Sequence, residues 1–388
     1  MDNTLGSADV VVVGAGIVGL AHAYEAVERG LTVAVVERGE RATGASIRNF
    51  GHACATAQDG VALQYGYAAR EKWAALAEAA GFWLRRTGTV MVARAEDELA
   101  VLREFGELRG AEVQLLDAAE VARRVPVGAG VVGGAFLPDD LRVDPRECVP
   151  AIARHLAERG VTFHWATTAH SVEPGLVRTS RGELRAGSIV FAAGHDVDRH
   201  FPELAAEFAV KRCVLRMLRV DNPHPQPIDP AVQTGFSLLR YGGFEACPSL
   251  PAVRERLTRE RPELIGIGLN LMFTQRPDGT LTIGDTHAYD VTPLPFDAEE
   301  MDAAVLRETA GLLGVERLTV RERWRGIYAS GANPYLVAAP AEGIRVVSVT
   351  SGIGMTTALG LAPRVMDGLV GADAQALPGA AELAALCA

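Results

Sequence analysis

The sequence predicts an α/β (α+β) protein, with a parallel sheet drawn from both ends of the chain and an antiparallel sheet drawn from its middle. Three observations predict it. The unbroken β-branched run Val10-Val11-Val12-Val13 suits a strand buried on both faces of a parallel sheet. A second apolar run, Arg345 to Val349, lies near the C-terminus and leads into a glycine-rich turn and a helix. Between them, from about Phe208, long strand patterns such as Val214 to Val220 and Leu281 to Asp285 alternate with Pro-rich and charged loops, as in a separate antiparallel sheet.

The N-terminal unit is the most specific. Gly14-Ala15-Gly16-Ile17-Val18-Gly19 follows the first strand at once, and Leu20 to Arg29 reads as a helix closed by Gly30. Thr32 to Val36 is the next strand, ending at Glu37 and Arg38. This is a Rossmann-like dinucleotide fingerprint. Gly14 permits the tight turn, Gly16 admits a pyrophosphate close to the backbone, and Gly19 packs the helix on the sheet. The helix N-terminus offers N–H groups to phosphate, and Glu37 stands where a carboxylate would meet an adenosine ribose. A second match, Gly128 to Gly133, follows Arg124-Val125-Pro126 and leads into Phe136-Leu137-Pro138. With no strand before it and no helix after it, it reads as a turn.

The remaining elements follow in order. Tyr67 to Ala80 is a helix with Trp73, Leu76 and Ala77 on one face, Gly88 to Ala93 a strand, and Ala95 to Arg109 a helix. Asp117 caps a short helix. Asp139 to Pro145 reads as the start of another, with Cys148 to Arg159 an amphipathic helix closed by Gly160. Val161 to His164 is a strand, and Leu176–Thr179 and Glu183–Ala186 form a hairpin. Ile189 to Gly194 is a buried strand whose small end, Ala192-Ala193-Gly194, can lie against a flat ligand. Asp297 to Leu313 is a helix with an acidic first turn, Val320 to Tyr328 a strand, and a helix through Leu369 follows the last strand.

Composition excludes several classes. The net charge of −10 argues against a nucleic-acid partner. Five scattered cysteines (Cys54, Cys148, Cys213, Cys247, Cys387) with no C-x-x-C pair fit neither a zinc site nor a disulfide framework and suit a reducing cytoplasm. No run is long and apolar enough to span a membrane, and the N-terminus lacks the basic run of a signal peptide.

Two further motifs give the glycine fingerprint a family. Ser46-x-x-Asn49-x-Gly51, and the C-terminal strand followed by Ser351-Gly352-Ile353-Gly354-Met355-Thr356, resemble the flavin-dependent amine and amino-acid oxidases, the superfamily of D-amino-acid, glycine and sarcosine oxidases. The resemblance covers the whole chain. Ala42 to His52, Ala246 to Pro251, Gly284 to Tyr289 and Glu322 to Ala329 are similar to a bacterial branch found beside phosphonate-catabolism genes.

The resemblance implies FAD, held by a domain assembled from 1–86, 144–207 and 321–388. It implies a substrate domain from 87–143 and 208–320 over the flavin face. It also implies oxidation of a small-molecule amine to an imine, with O2 as electron acceptor. Besides the N-terminal fingerprint (Gly14, Gly16, Ile17, Val18, Gly19, Glu37, Arg38), the implied cofactor residues are Ser46, Arg48, Asn49, Phe50 and Gly51. Ala193, Gly194 and the turn Gly352, Ile353, Gly354, Met355 and Thr356 complete the set. That last turn would stabilise charge on the pyrimidine edge of reduced flavin. Arg48 meets either the pyrophosphate or the substrate's anionic group. His52 either faces the ring as a catalytic residue or is a hydrogen-bonded core histidine.

One departure bears on the substrate. Glycine and D-amino-acid oxidases read Trp-x-Gly-Leu-Arg in the strand that holds the substrate carboxylate, whereas this chain reads Trp324-Arg325-Gly326-Ile327-Tyr328. A tyrosine does not replace a bidentate guanidinium. Either the carboxylate is held elsewhere or the head group differs. Candidate substrate residues are Arg48, Arg216, Arg240, Tyr241, His287 and Tyr328, with Lys211, Arg212 and Tyr289 as further anion-site candidates. His287 and Tyr328 join His52 as catalytic candidates.

Overall fold

The computed structural model describes residues 4–370; Cys387 and the rest of the C-terminal segment lie outside them. Thr4–Val13 is flanked in parallel by Val33–Val36 and Gly182–Phe191, and Thr162–His164 and Ile344–Ser351 extend the parallel part on either side. The β-branched runs explain themselves in register. Val10, Val12, Val33 and Val35 pack on one face, and Val11, Val13, Ala34 and Val36 on the other. Each is almost wholly buried, worth about 1.5–3 kcal/mol for a full Val side chain.

Helices Ile17–Glu28, Gly60–Ala80, Pro145–Glu158 and Gly354–Val370 cover the first face, burying Leu20, Trp73, Ile152 and Leu361. The second face is covered by the Ala169–Glu173 and Leu176–Thr179 strands and by Pro202–Glu207. The hairpin expected at Ser180-Arg181-Gly182 is present, but its second strand runs on without a break to Phe191. The Gly128–Gly133 segment is indeed a turn, leading into the Gly133–Leu137 strand.

The parallel and antiparallel parts are not distinct sheets as expected. They are one hydrogen-bonded sheet of 16 strands among the described residues. The 19-residue strand Val320–Ala338 joins them. Its first part pairs with Lys211–Val220 and its last part with Ile344–Ser351, with a register shift between Ser330 and Tyr335. The antiparallel part continues through Leu281–Gly284, Met272–Gln275 and Ala231–Thr234 to Thr89–Ala93. That last pair is parallel. A second core lies here, with Val90, Phe105, Phe244, Phe273 and Val305.

One expected element is corrected. Leu141–Val143 is a strand, not the start of a helix, and pairs with His52–Ala53 and Leu84–Arg85. Leu141 and Val143 are buried, so the strand is decided by packing. The helix begins at Pro145, with the Asp144 carboxylate accepting from Arg146 N at 2.9 Å. Leu250–Glu260 adds a helix that the loop-rich composition did not announce. Among the described residues no helix is long and apolar enough to cross a membrane.

Candidate active site

The ends of the parallel strands, the loop after Glu37 and the antiparallel strands enclose one cavity of about 500 Å³, within the usual range for ligand clefts. At one end lies the first glycine turn. Gly14 has φ +107°, and a Cβ there would sit 2.5 Å from the Ala192 carbonyl oxygen. Gly19 does not line the cavity; a Cβ on it would strike the Gly14 carbonyl, so it serves helix packing. Glu37 Oε2 accepts from Ala15 N at 2.9 Å and Oε1 from Gly39 N at 3.0 Å, which clamps the carboxylate beside the turn. Gly16, the N-cap of Ile17–Glu28, gives no side-chain cap. Instead Ile17 N donates to Ser46 Oγ at 2.8 Å, tying the motif loop to the helix N-terminus.

Asn49 braces that loop from within. Its Nδ2 donates to the Ala45 and Ser46 carbonyls at 3.0 Å each, and its Oδ1 accepts from Gly51 N at 2.8 Å. Gly51 (φ +68°) does not line the cavity, because it packs against Val143. Trp324 Nε1 donates to the Arg48 carbonyl at 3.1 Å and Thr274 Oγ1 to the Phe50 carbonyl at 2.8 Å. Ser46, Arg48, Asn49 and Phe50 therefore line the cavity between both parts of the sheet.

Gly352, Ile353, Gly354, Met355 and Thr356 close the cavity at the N-terminus of Gly354–Val370. Two helix N-termini thus meet one cleft, and their dipoles favour negative charge within it. Met355 O accepts from Trp73 Nε1 at 2.9 Å, and Thr356 Oγ1 from Cys54 N at 3.1 Å. Val18, Arg38, Ala193 and Gly194 also line it, and Arg38 pairs with Asp196 at 2.6 Å.

His52 lines the cavity and is 8 % exposed. Its Nε2 lies 2.7 Å from Thr89 Oγ1, which donates to Asp140 Oδ2 at 2.7 Å. Thr89 spends its proton on Asp140, so His52 Nε2 is the donor to Thr89. His52 Nδ1 is buried without a partner. Asp140 Oδ1 accepts from Ala55 N and Thr56 N at 2.9 and 3.1 Å. Burial opposes its charge, but the bonds from His52, Thr89 and the backbone hold its carboxyl below the usual range. His52, Cys54 and Asp140 offer ligand atoms within 4.8 Å of one another. Burial keeps the Cys54 thiol protonated, the wrong form for a metal ligand.

At the far end the Arg240 guanidinium donates to the Tyr328 hydroxyl and, at 2.9 Å, to Tyr289 Oη. Arg240, Tyr241, His287 and Tyr328 all line the cavity. Arg240 makes no ion pair with a carboxylate among the described residues. The Tyr328 ring packs on Gly352, whose added Cβ would lie 2.9 Å from its Cζ, so this end of the cavity adjoins the C-terminal turn. Burial raises the Tyr328 phenol well above its usual pKa and lowers His287 to about 3, so both are neutral.

Arg216 is not at the cavity. Its guanidinium forks onto Asp302 at 2.8 Å and also meets Asp297. The reason is strand parity: Leu215 lines the cavity, so Arg216 points through the sheet to the Glu299–Leu312 helix. Arg212 likewise pairs with Asp196 and Asp198, and Lys211 is exposed. Arg48 lines the cavity, with Nη1 3.3 Å from the Arg325 carbonyl. Sequence reasoning missed Asp285 and Asn270, both buried and both lining the cavity. The available signal was the Gly284-Asp285-Thr286 stretch, where an acidic residue ends an apolar strand.

Comparison with known proteins identifies the family and the fold. Residues 9–367 match the family described as FAD dependent oxidoreductase. A glycine oxidase from Bacillus licheniformis is 30% identical over 200 residues, covering 48% of this chain and 54% of that protein. The alignment therefore spans about half of that relative. The crystal structure of glycine oxidase from Geobacillus kaustophilus superposes with a TM-score of 0.76 at 20% identity, covering 96% of each chain. L-proline dehydrogenase from P. horikoshii gives 0.77 at 18% identity, covering 94% of each chain. At these identities the structural matches show the fold.

Proposed function

The chain belongs to the FAD-dependent oxidoreductase family, and from that premise we propose that it oxidises the C–N bond of a small amine carrying an anionic group. An aminophosphonate, 2-aminoethylphosphonate or an N-alkyl form, is the first candidate. FAD, the cofactor of the family, supplies the two-electron acceptor. The residues present fit it. Gly14 and Gly16 leave the backbone bare where a pyrophosphate would approach, beside a helix N-terminus whose cap residue, Gly16, carries no side chain. The buried, unpartnered Nδ1 of His52 has room for a partner in the cavity. Gly14 to Val18, Glu37, Ser46, Arg48 and Phe50 would hold the dinucleotide, with Asn49 keeping their loop in shape. Ala193, Gly194 and Gly352 to Thr356 would line the flavin.

The carrying observation is Arg240. It is a cation at the cavity with two tyrosine hydroxyls for partners and no carboxylate. Two of its five N–H groups are used, which leaves donors for a ligand anion. Each phenol accepts from Arg240 and keeps its own proton, for which Cys213 is a weak acceptor. A phosphonate, with three oxygens, can take the free guanidinium N–H donors and the Tyr328 phenol together, while Tyr289, which does not line the cavity, braces the guanidinium from behind. In this reading Arg240 replaces, from another element, the guanidinium missing at Tyr328.

A carboxylate substrate is the second reading: glycine, an N-substituted glycine or a D-amino acid, in catabolism or in natural-product biosynthesis. It is favoured by the similarity to glycine oxidase and uses the same Arg240. In both, the imine hydrolyses to an aldehyde or oxo acid, and O2 takes the electrons to give H2O2. Four buried, unpaired cysteines among the described residues suit the cytoplasm. In this reading FAD is held by the parallel part of the chain, with the domain boundaries given from the sequence.

The test is anaerobic titration of the purified flavoprotein with 2-aminoethylphosphonate, its N-methyl form, glycine, sarcosine and D-alanine. Bleaching of the visible band by an aminophosphonate supports the first reading. Bleaching by the carboxylates alone supports the second, and a colourless protein that stays apo with added FAD defeats both.

A further inference from the structure

The cavity holds a second unmatched group opposite in sign to Arg240. Asp285 follows the Leu281–Gly284 strand and is 4 % exposed. Its backbone is fixed by reciprocal bonds with Asn270, at 2.8 and 2.9 Å, and His287 N bonds the Ile267 carbonyl at 3.0 Å. The side chains are oriented just as firmly. Ser237 Oγ donates to Asn270 Oδ1 at 2.7 Å, so the Asn270 amide turns its Nδ2 to Asp285 Oδ1, 3.2 Å away. His287 Nδ1 lies 2.8 Å from the Gly268 carbonyl, an acceptor only, so Nδ1 carries the proton. The neutral ring then presents a lone pair at Nε2, and Asp285 Oδ2 lies 3.7 Å from it. That is too far for a direct hydrogen bond. Two acceptors therefore stand side by side at the cavity, and no lysine or arginine forms an ion pair with Asp285 among the described residues.

We propose that Asp285 and His287 are the amine-binding half of the site, and that Asp285 Oδ2 takes the ammonium proton of the substrate before its C–H bond breaks. The inference rests on the amine-oxidase reading above. A substrate ammonium donates one N–H to Asp285 and another to His287 Nε2, while Arg240 holds its anionic end. One N–H bond then breaks as the Asp285 O–H forms, leaving a neutral amine. Its lone pair forms the C=N bond of an iminium as the adjacent C–H bond breaks, and that hydrogen passes together with both electrons, as a hydride, to bound FAD. Asp285 returns its proton to water when the product leaves. The groups facing Asp285 are Arg240, His287 and Asn270, with Tyr241 and the Tyr328, Tyr289 and Cys213 cluster behind them. Burial raises the Asp285 carboxyl to about 7 against the attraction of Arg240, which places its titration where a base is useful.

The experiment uses holoenzyme and two kinds of ligand. The first is an amine that bleaches the wild-type flavin. The second is the matching anion without the amine, ethylphosphonate or propionate, whose binding is read as a perturbation of the flavin band. Wild type is expected to show kcat/KM rising with pH through a step near 7. Asp285→Asn is expected to lose that step and about 100-fold or more in kcat/KM, while its Kd for the amine-free anion stays within about threefold. His287→Gln, which guards against an Asp285 variant that fails to take up FAD, is expected to raise KM for the amine and to keep the step. The proposal is overturned if Asp285→Asn keeps the step and its activity. It is also overturned if amine and amine-free anion lose affinity equally in both variants, the mark of a merely structural role. Failure of the underlying reading looks different: the wild-type flavin stays oxidised with every amine, and both proposals fall together.

Discussion

Arg240 and Tyr328 meet at one end of the cavity, the guanidinium donating to the phenol. The cation thus comes from the segment after Gly235–Leu238, while the Val320–Ala338 strand supplies its brace. Arg240→Gln is expected to weaken binding of the amine-free anion and to raise KM by about 10–100-fold, the usual worth of hydrogen bonds to a charged group. Spectral titration of the holoenzyme measures it.

Gly14→Ala is expected to lower both flavin content and thermal stability. The new Cβ would meet the Ala192 carbonyl at 2.5 Å, in a backbone conformation of φ +107°. Backbone has no rotamer with which to yield, so a loss of about 1–3 kcal/mol or more follows. The flavin-to-protein ratio and the melting temperature, measured together, check it.

His22 gives a pH-dependent stability that has nothing to do with catalysis. It is fully buried in the first helix, and desolvation lowers its pKa from 6.5 to about 4, despite the Nδ1 bond to the Val18 carbonyl. The folded pKa is depressed, so the stabilising preference for neutral His is complete above pH 6.5 and is lost as pH falls towards 4. The span amounts to about 3 kcal/mol at ~1.4 kcal/mol per tenfold. His22→Leu is expected to flatten the stability profile between those pH values, as read by urea midpoints.

Asp140→Ala is expected to destabilise the protein by about 3 kcal/mol or more, because it strands Ala55 N, Thr56 N and the Thr89 hydroxyl in the interior. Its folded pKa lies below the ordinary 3.8. Its contribution is therefore present above that value and lost as pH falls below it. Wild type and variant are expected to converge in stability at strongly acid pH, which acid-unfolding curves test.

Local signals were legible and long-range ones were not. Val10 to Gly19 announced strand, turn and helix because each residue's task there is set by its neighbours. Leu141 to Val143 was misread because its strand pairs with His52–Ala53 and Leu84–Arg85, far away in sequence. The strand read as ending at Tyr328 in fact runs on past Gly331 and Pro334 to Ala338 and unites the sheet. Arg216 and Arg240 look alike as candidate cations. Strand parity, with Leu215 facing the cavity, separates them only once the orientation of Lys211–Val220 is known. Asp285 stayed hidden because its partners, Asn270 and His287, are fixed by backbone bonds that no spacing rule reveals.

The most direct test of the account compares two amines of equal length on the wild-type holoenzyme without oxygen: 2-aminoethylphosphonate and propylamine, which lacks the anion. The account predicts that the first bleaches the flavin at concentrations at least about 10-fold lower, since Arg240 can contribute only to it. Equal bleaching by both, or bleaching by neither and by no amino acid, would contradict it.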